Sequence, residues 1–413
     1  MKVAVLAHSF PRFEGDTHGP FVQHLSEALG RRGHEMHVLL PWDPELRLER
    51  DSPLRLHSFR YVWPRSYHLL GYSRTMQRDV RMRLWGYLQG PLYLHFATRA
   101  LRRLVLSEGI ELVHTHWILP NGYVADRVRR ATGVPFAATL HGTDVFMAER
   151  NALFGSMAAR ALAGASHVTS CSADLQSRLV ALGSSEHADK VHLVANGTDL
   201  VSTEHDAVAT RRRYGFDDSD RLVVAVGRLV DKKGFRYLVD AAPEIVGAVP
   251  RARIVIGGEG ELRADLEARA AQAGVGARVS FTGGLSHPQV LELLAAADVV
   301  VMPSVRDPQG NIDGLPIVVL EAMAAERAIV ASDVAGMPLA LEDDSSGVLV
   351  PERDSAAITA ATVALLQDAE RATTLGRAAK SRVEQSLTWD AIAGIHDGLY
   401  RAAPKEHTAA VMP

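Results

Sequence analysis

Residues 299–325 read VVVMPSVRDPQGNIDGLPIVVLEAMAA. The four apolar residues 299–302 are too few for a helix and show no polar alternation, which is how a strand buried on both faces of a sheet reads. A loop follows, carrying proline, glycine, asparagine and aspartate, the usual turn formers. Pro316 then opens an apolar helical stretch. Proline suits a first helical turn, where its missing N–H has no partner to lose. Strand, loop and helix in this order make one step of a parallel sheet. The amides at such a helix start are unpaired, and Gly314 just before it permits close approach. An anion site results, of a kind that fits a diphosphate.

The same step recurs on both sides of this segment. Short apolar runs at 222–226, 253–256, 279–282, 328–331 and 348–350 read as further strands separated by helical patterns. Toward the N-terminus, 3–7, 36–40, 112–114, 136–139, 168–170 and 191–194 read likewise, with a helix through 21–31. No solenoid period appears. Residues 201–220 are polar and without period, and read as a linker. The fold class is therefore α/β: two Rossmann-like, doubly wound parallel-sheet domains. We place the first at 1–200 and the second at 201–388, with a helix at 389–402. A chain of 413 residues is too long for a single core.

Composition narrows the functional classes. Lys plus Arg number 45 against 48 Asp plus Glu, giving a net charge near −3 and no global nucleic-acid signal. Cys171 is the one cysteine, so no intrachain disulfide forms and a reducing compartment fits. The apolar run at 3–7 is too short for a signal-peptide core, and no stretch approaches the ~20 apolar residues of a membrane-spanning helix. The expected location is cytoplasmic, with peripheral membrane contact open. Residues 54–105 suggest that contact. Arg55, Arg60, Arg65, Arg74, Arg78, Arg81 and Arg83 are interleaved there with Tyr61, Trp63, Tyr67, Tyr72 and Trp85. This pattern suits an acceptor site or a membrane-facing surface, and equally a solvated helix face over packed aromatics.

Two carboxylates bracket the helix start, Asp313 before it and Glu321 eight residues on. Eight residues of helix rise ~12 Å and turn a little past two full turns, so both side chains lie on roughly one side. Ionised carboxylates accept strongly from diols. One is placed for sugar hydroxyls and the other for a ribose pair. An N-cap Asp with a solvent-facing Glu explains the same letters. A second cluster favours the ligand reading. Gly227-Arg228-Leu229-Val230-Asp231-Lys232-Lys233-Gly234 follows the strand at 222–226. Arg228 and Lys233 thus share the carboxyl edge with Gly314, the edge where open α/β sheets bind ligands. Two cations there would neutralise a leaving diphosphate.

Elsewhere the signals are weaker. Gly15 and Gly19 follow the first strand, but not as G-x-G-x-x-G, which argues against a nicotinamide oxidoreductase. His114 and His116 end a strand, and His141-Gly142-Thr143-Asp144 follows another. No accompanying ligand spacing supports zinc there. Asp217-Asp218-Ser219-Asp220 reads as a solvated turn.

Together these residues resemble the large retaining glycosyltransferase family of GT-B architecture, the family 4 type. The resemblance runs through VAVGRLVDKKG, GGEGEL, VSFTGG, ADVVVMPS, DGLPIVVLEAMA, SDVAG and GVLVP, and in the first half through LHGTDVF, SCSADL and VANGTDL. It implies two domains facing a central cleft, a nucleotide-diphosphate sugar donor (UDP- or GDP-linked) and a hydroxyl acceptor. It implies no cofactor and no metal. By position it places Arg228 and Lys233 at the donor diphosphate, Glu321 at the ribose, and Asp313 with the amides of Gly314 and Leu315 at the sugar. Gly227 belongs to the same donor loop. Gly284 and Leu285 fall near the base, Gly19 lets the first domain close on the phosphates, and His141 lies beside the transferred sugar. The C-terminal helix would cross back to the first domain. Asp313 departs from the family's Glu-x7-Glu spacing by one methylene. Another GT-B enzyme, an epimerase or phosphorylase, and a non-catalytic nucleotide-sugar binder are the alternative readings. The phosphorylase would need a pyridoxal lysine motif, which the sequence lacks.

Overall fold

A computed structural model describes residues 1–403 except 14, 17, 48–52, 64–66, 69, 72–75, 79, 80, 83, 184, 201–205, 343 and 344. The chain divides into two compact units. One holds residues 1–194 with the C-terminal segment from 389; the other holds 195–388. The junction lies at 194/195 rather than at 200.

The first unit contains β1 (Lys2–Leu6), β2 (Glu35–Pro41), β3 (Arg55–Phe59), the hairpin β4 (Met76–Arg78) and β5 (Arg81–Met82), β6 (Leu112–His116), β7 (Phe136–Thr139), β8 (His167–Ser170) and β9 (Val191–Leu193). Seven of these form one parallel sheet in the order β3-β2-β1-β6-β7-β8-β9. The order turns back between β1 and β6, so the loops that follow these two strands diverge and leave a crevice at the carboxyl edge. Residues 55–59, RLHSF, carry no strand signal in the sequence, being neither continuously apolar nor regularly alternating. As an edge strand it needs only one buried anchor, Phe59.

The second unit contains β10 (Arg221–Val226), β11 (Ala252–Gly257), β12 (Val279–Gly283), β13 (Val299–Met302), β14 (Ala328–Ser332) and β15 (Val348–Val350). They form a six-stranded parallel sheet in the order β12-β11-β10-β13-β14-β15. Here the turning point lies between β10 and β13. Those are the strands that lead into the Arg228 and Asp313 loops. Val223, Ala225, Ile254, Ile256, Val299 and Val301 form the core with Leu238 and Ile245 of the helix Phe235–Ala248 and Ile358 and Leu365 of the helix Ser355–Gln367. Each of the valine, leucine and isoleucine side chains among them stabilises by about 1.5–3 kcal/mol when fully buried.

The reading of 201–220 as linker needs correction. Residues Ala207–Arg213 form a helix, capped where Asp206 accepts from Ala209 N. Seven residues dominated by three consecutive arginines carry too little apolar periodicity to show it. The acidic run beyond is a turn, with Asp217 Oδ1 accepting from Ser219 N and Asp220 N.

The helix Trp389–Ala402 belongs to the first unit. Its Asp390 pairs with Arg32 at 3.1 Å, and its Asp397 with His34 at 2.9 Å. Tyr400, fully buried, is hydrogen-bonded through its hydroxyl to His114 Nδ1 at 2.6 Å.

One glycine decides how two loops of the second unit meet. Gly234 sits at φ +65, and a Cβ there would stand 1.8 Å from the carbonyl oxygen of Pro303. Gly234→Ala therefore combines a left-handed backbone with a backbone clash. It is expected to destabilise by more than ~2 kcal/mol. Gly247→Ala, in open space on a helix, should be neutral or stabilising. Chemical denaturation of both variants checks this; equal stability would refute the steric role.

Candidate active site

At the turning point of the second sheet, the loop after β10 runs through Arg228 to a single helical turn, Asp231–Lys233. Gly227 N donates to Gly257 O (2.9 Å), and Leu229 N donates to Glu259 O (2.8 Å). These bonds tie the loop to the one after β11 and hold Arg228 between them, exposed. Val305 N donates to Lys232 O at 2.9 Å, which joins the β10 loop to the loop after β13.

Asp313 lies where the two loops meet. Its side chain is 13% exposed and receives two ammonium groups. Lys232 Nζ is 3.1 Å from Oδ1, and Lys233 Nζ is 2.6 Å from Oδ2. Burial by itself would raise the Asp313 pKa. The two lysines overrule it and hold the carboxyl well below the usual carboxylate range. Oδ2 is buried, and its contact with Lys233 is an ion pair without hydrogen-bond alignment. Asp313 was expected to face sugar hydroxyls; its neighbours within the unit are these two cations. Lys232 was missed because the doublet KK gives no sign which side chain turns inward. Lys232 proves the more buried residue.

Gly314 and Leu315 lead into the helix Ile317–Ala324. Gly336 N donates to Gly314 O (2.7 Å), and Asn196 Nδ2 donates to Leu315 O (3.1 Å). Pro316 is the N-cap rather than the first helical residue, with ψ 127. No side chain caps this start, and its first turn holds no acid. An uncapped helix start of this kind suits an anion.

Glu321 sits inside this helix and is buried, not solvent-facing as a bland reading would have it. His287 Nε2 lies 2.8 Å from Glu321 Oε1. The hydrogen bond to Glu321 raises the His287 pKa above the ordinary imidazole value, against a smaller lowering by burial. His287 opens the helix His287–Ala296, just after exposed Gly284 and half-buried Leu285. Its signal in the sequence was Ser286 with Gln289, a helix-start pattern, with Ser286 N donating to Gln289 Oε1 at 2.9 Å.

The carboxyl edge of the first sheet carries Gly19 and His141. Gly19 has φ +64, and a Cβ would come within 2.8 Å of Ser9 O. It precedes the helix Pro20–Arg31, whose start also lacks a side-chain cap and a first-turn acid. The loop before it is held by Arg12, which pairs with Asp16 at 2.6 Å and with Glu45. His141 follows β7. The buried carboxylate of Asp144 shapes its turn, accepting from Ile118 N (2.7 Å), Gly142 N (2.9 Å) and His141 N (3.3 Å). Burial pushes the Asp144 pKa up to about 6 against those bonds. The paired histidines His114 and His116 are buried, and burial lowers both pKa values well below the ordinary imidazole value.

Of the aromatic and basic residues between 54 and 105, Arg65, Tyr72, Arg74 and Arg83 lie outside the described residues. Tyr61 is buried, whereas Trp63 and Tyr67 are exposed. The helix Leu84–Glu108 exposes Leu88, Leu92 and Phe96, then Arg99, Arg102 and Arg103. No helix among the described residues is long and apolar enough to cross a membrane.

Comparison with known proteins agrees with this architecture. Residues 207–382 match the family Glycosyl transferases group 1, and residues 19–202 match Glycosyltransferase Family 4. A GDP-mannose-dependent alpha-(1-6)-phosphatidylinositol monomannoside mannosyltransferase of Mycolicibacterium smegmatis is 33% identical over 297 residues, covering 70% of this chain and 76% of that protein. Sucrose-phosphate synthase from Thermosynechococcus elongatus superposes with a TM-score of 0.76 at 24% identity, over 97% of this chain and 98% of that one. The Anabaena protein HepE, in complex with UDP-glucose, superposes with a TM-score of 0.70 at 19% identity, over 97% and 100%. The chain belongs to the glycosyltransferases of the family 4 type, with the GT-B pair of Rossmann-like domains.

The Glu321–His287 pair yields a pH prediction. The folded pKa of His287 is raised, so the stability it contributes is fully present below the unfolded imidazole pKa of ~6.5 and is lost as pH rises through the folded value. The wild type should melt higher than His287→Gln at pH 6, and the gap should shrink as pH climbs above ~6.5. A gap that is constant or that widens with pH contradicts the pairing.

Proposed function

We propose that this glycosyltransferase is a retaining, metal-independent hexosyltransferase that takes a UDP- or GDP-sugar on its second unit and passes the sugar to a hydroxyl acceptor. The observation that carries this reading is the half-buried Asp313 with its two lysines, beside an uncapped helix start and the exposed Arg228. Lys232, Lys233 and Arg228 bring three cations to this edge, which is chemistry suited to a diphosphate. The UDP-glucose complex of HepE and the GDP-mannose dependence of the mycobacterial relative support a nucleotide-sugar donor.

In this reading Arg228 and Lys233 hold the diphosphate and stabilise the charge that grows on it as the sugar leaves. Glu321 accepts from the ribose diol, and Gly284 and Leu285 border the base. Asp313 and the amides of Gly314 and Leu315 face the sugar. Gly19 and His141 act from the first domain. The anomeric C–O bond to phosphate breaks, and the acceptor oxygen bonds to the same carbon on the same face. The acceptor's proton passes to the departing phosphate oxygen. Rate then comes from positioning and electrostatics, which need no metal.

A lipid-linked acceptor fits the helix Leu84–Glu108. Leu88, Leu92 and Phe96 recur at four-residue spacing on one face, and Arg99, Arg102 and Arg103 extend it. An apolar stripe continued by cations suits an anionic bilayer surface.

The reaction is testable even with the acceptor unidentified, because slow donor hydrolysis releases free sugar. With GDP-mannose or UDP-glucose and EDTA present, proton NMR should show the α-anomer first. A β-anomer appearing first, or activity restored only by Mg²⁺, contradicts the mechanism. Arg228→Ala and Lys233→Ala should each lower turnover by about 10²–10³; near-normal turnover would remove the diphosphate role. For the surface, co-sedimentation with phosphatidylglycerol vesicles should fall in an Arg99→Glu/Arg103→Glu variant and with added salt. Equal binding of wild type and variant would refute membrane contact through this helix.

A further inference from the structure

The ring of His141 stands in an aromatic enclosure within the first unit. Phe21 lies 4.6 Å away between ring centroids, Trp117 4.5 Å and His116 5.2 Å, the last stacked at 19°. Only one of these neighbours bonds to a nitrogen of the ring: His116 Nδ1 is 3.0 Å from His141 Nε2. Among the described residues no hydrogen-bond partner reaches His141 Nδ1. His116 is itself held firmly. It ends β6, it is 1% exposed, and Trp117 after it adopts φ +67, a left-handed backbone that a tryptophan rarely takes. Trp117 N donates to Thr139 O at 2.8 Å, which ties this backbone to β7 just before His141.

The second nitrogen of His116 gives the pair a direction. His116 Nε2 is buried and without a partner among the described residues. Both rings stay neutral near pH 7, since burial pushes both pKa values far down, that of His141 to about 3. A neutral imidazole carries one N–H and one lone pair. Were the His116 proton on Nε2, an orphaned donor would be buried; with the proton on Nδ1, only an acceptor is orphaned. Buried orphan donors are the rarer case. The proton therefore sits on His116 Nδ1 and is donated to His141 Nε2. His141 must then carry its own proton on Nδ1, the nitrogen left open to a ligand.

We propose that His116 is a positioning residue that fixes His141 as the Nδ1–H tautomer, so that His141 presents a hydrogen-bond donor to an oxygen of the bound sugar. The use of that donor rests on the glycosyltransfer mechanism proposed above; the tautomer does not. No base is formed at this ring, and no proton is transferred. The contribution is orientation of a neutral donor.

The tautomer is read directly from the intact protein. Two-bond ¹⁵N–¹H spectra of ¹⁵N-histidine-labelled protein separate Nδ1–H from Nε2–H rings, and His116→Phe and His141→Phe assign the two signals. We expect Nδ1–H at both positions in the wild type. His116→Phe keeps the ring but removes the bond, and should return His141 to a mixture of tautomers and slow donor turnover by about three- to tenfold. His116→Gln, whose side-chain amide can still donate, should restore both. A wild-type His141 protonated at Nε2, or a His141 tautomer unchanged in a folded His116→Phe protein, overturns the proposal. If the tautomer follows this pattern while turnover does not respond, the positioning of His141 stands and its role in sugar transfer is the part that fails.

Discussion

Burying the Asp313 carboxylate takes an anion out of water, which costs several kcal/mol unless nearby cations replace the lost solvent. Lys232 and Lys233 do this at 3.1 and 2.6 Å. The carboxylate in turn offsets the repulsion between the two ammonium groups. This mutual need joins the loop after β10 to the loop after β13, on either side of the point where the strand order turns back. Gly234 makes the approach sterically feasible, and the backbone bond from Val305 to Lys232 fixes its register.

Once those loops are joined, the rest of the edge follows from the sheet. The helix Ile317–Ala324 starts four residues beyond Asp313. About one helical turn carries the chain from Ile317 to Glu321. There the carboxylate is held by His287, the first residue of the helix that follows β12. Asp313 and its two lysines lie just before this helix, and Glu321 lies within it.

Much of this was legible in the sequence because parallel strands buried on both faces read as bare apolar runs, and the punctuation between them is strong. Val223–Val226, Val299–Met302 and Ile329–Ala331 left little choice of element. The segment Arg55–Phe59 escaped because an edge strand need not be apolar, and the helix Ala207–Arg213 because its arginines hide its period. The site was legible as a set of positions but not as a set of partners. Asp313, Lys233 and Glu321 stood out by motif and by loop placement. That Lys232 turns inward, that His287 reaches Glu321, and that His116 rather than His114 bonds to His141 all depend on side-chain direction. A one-dimensional pattern does not encode that direction. The doublet of lysines and the cluster of histidines gave the chemistry without the geometry.

The central claim is that the cation-lined edge of the second sheet is built for a nucleoside diphosphate. The most direct measurement is a thermal-shift and calorimetric titration of the wild-type chain with GDP, UDP, ADP and dTDP in EDTA, with NAD as control. One nucleoside diphosphate should bind saturably and, at 100 times its dissociation constant, stabilise the protein by ~2.7 kcal/mol. Binding of none of them, or of NAD alone, would contradict the account.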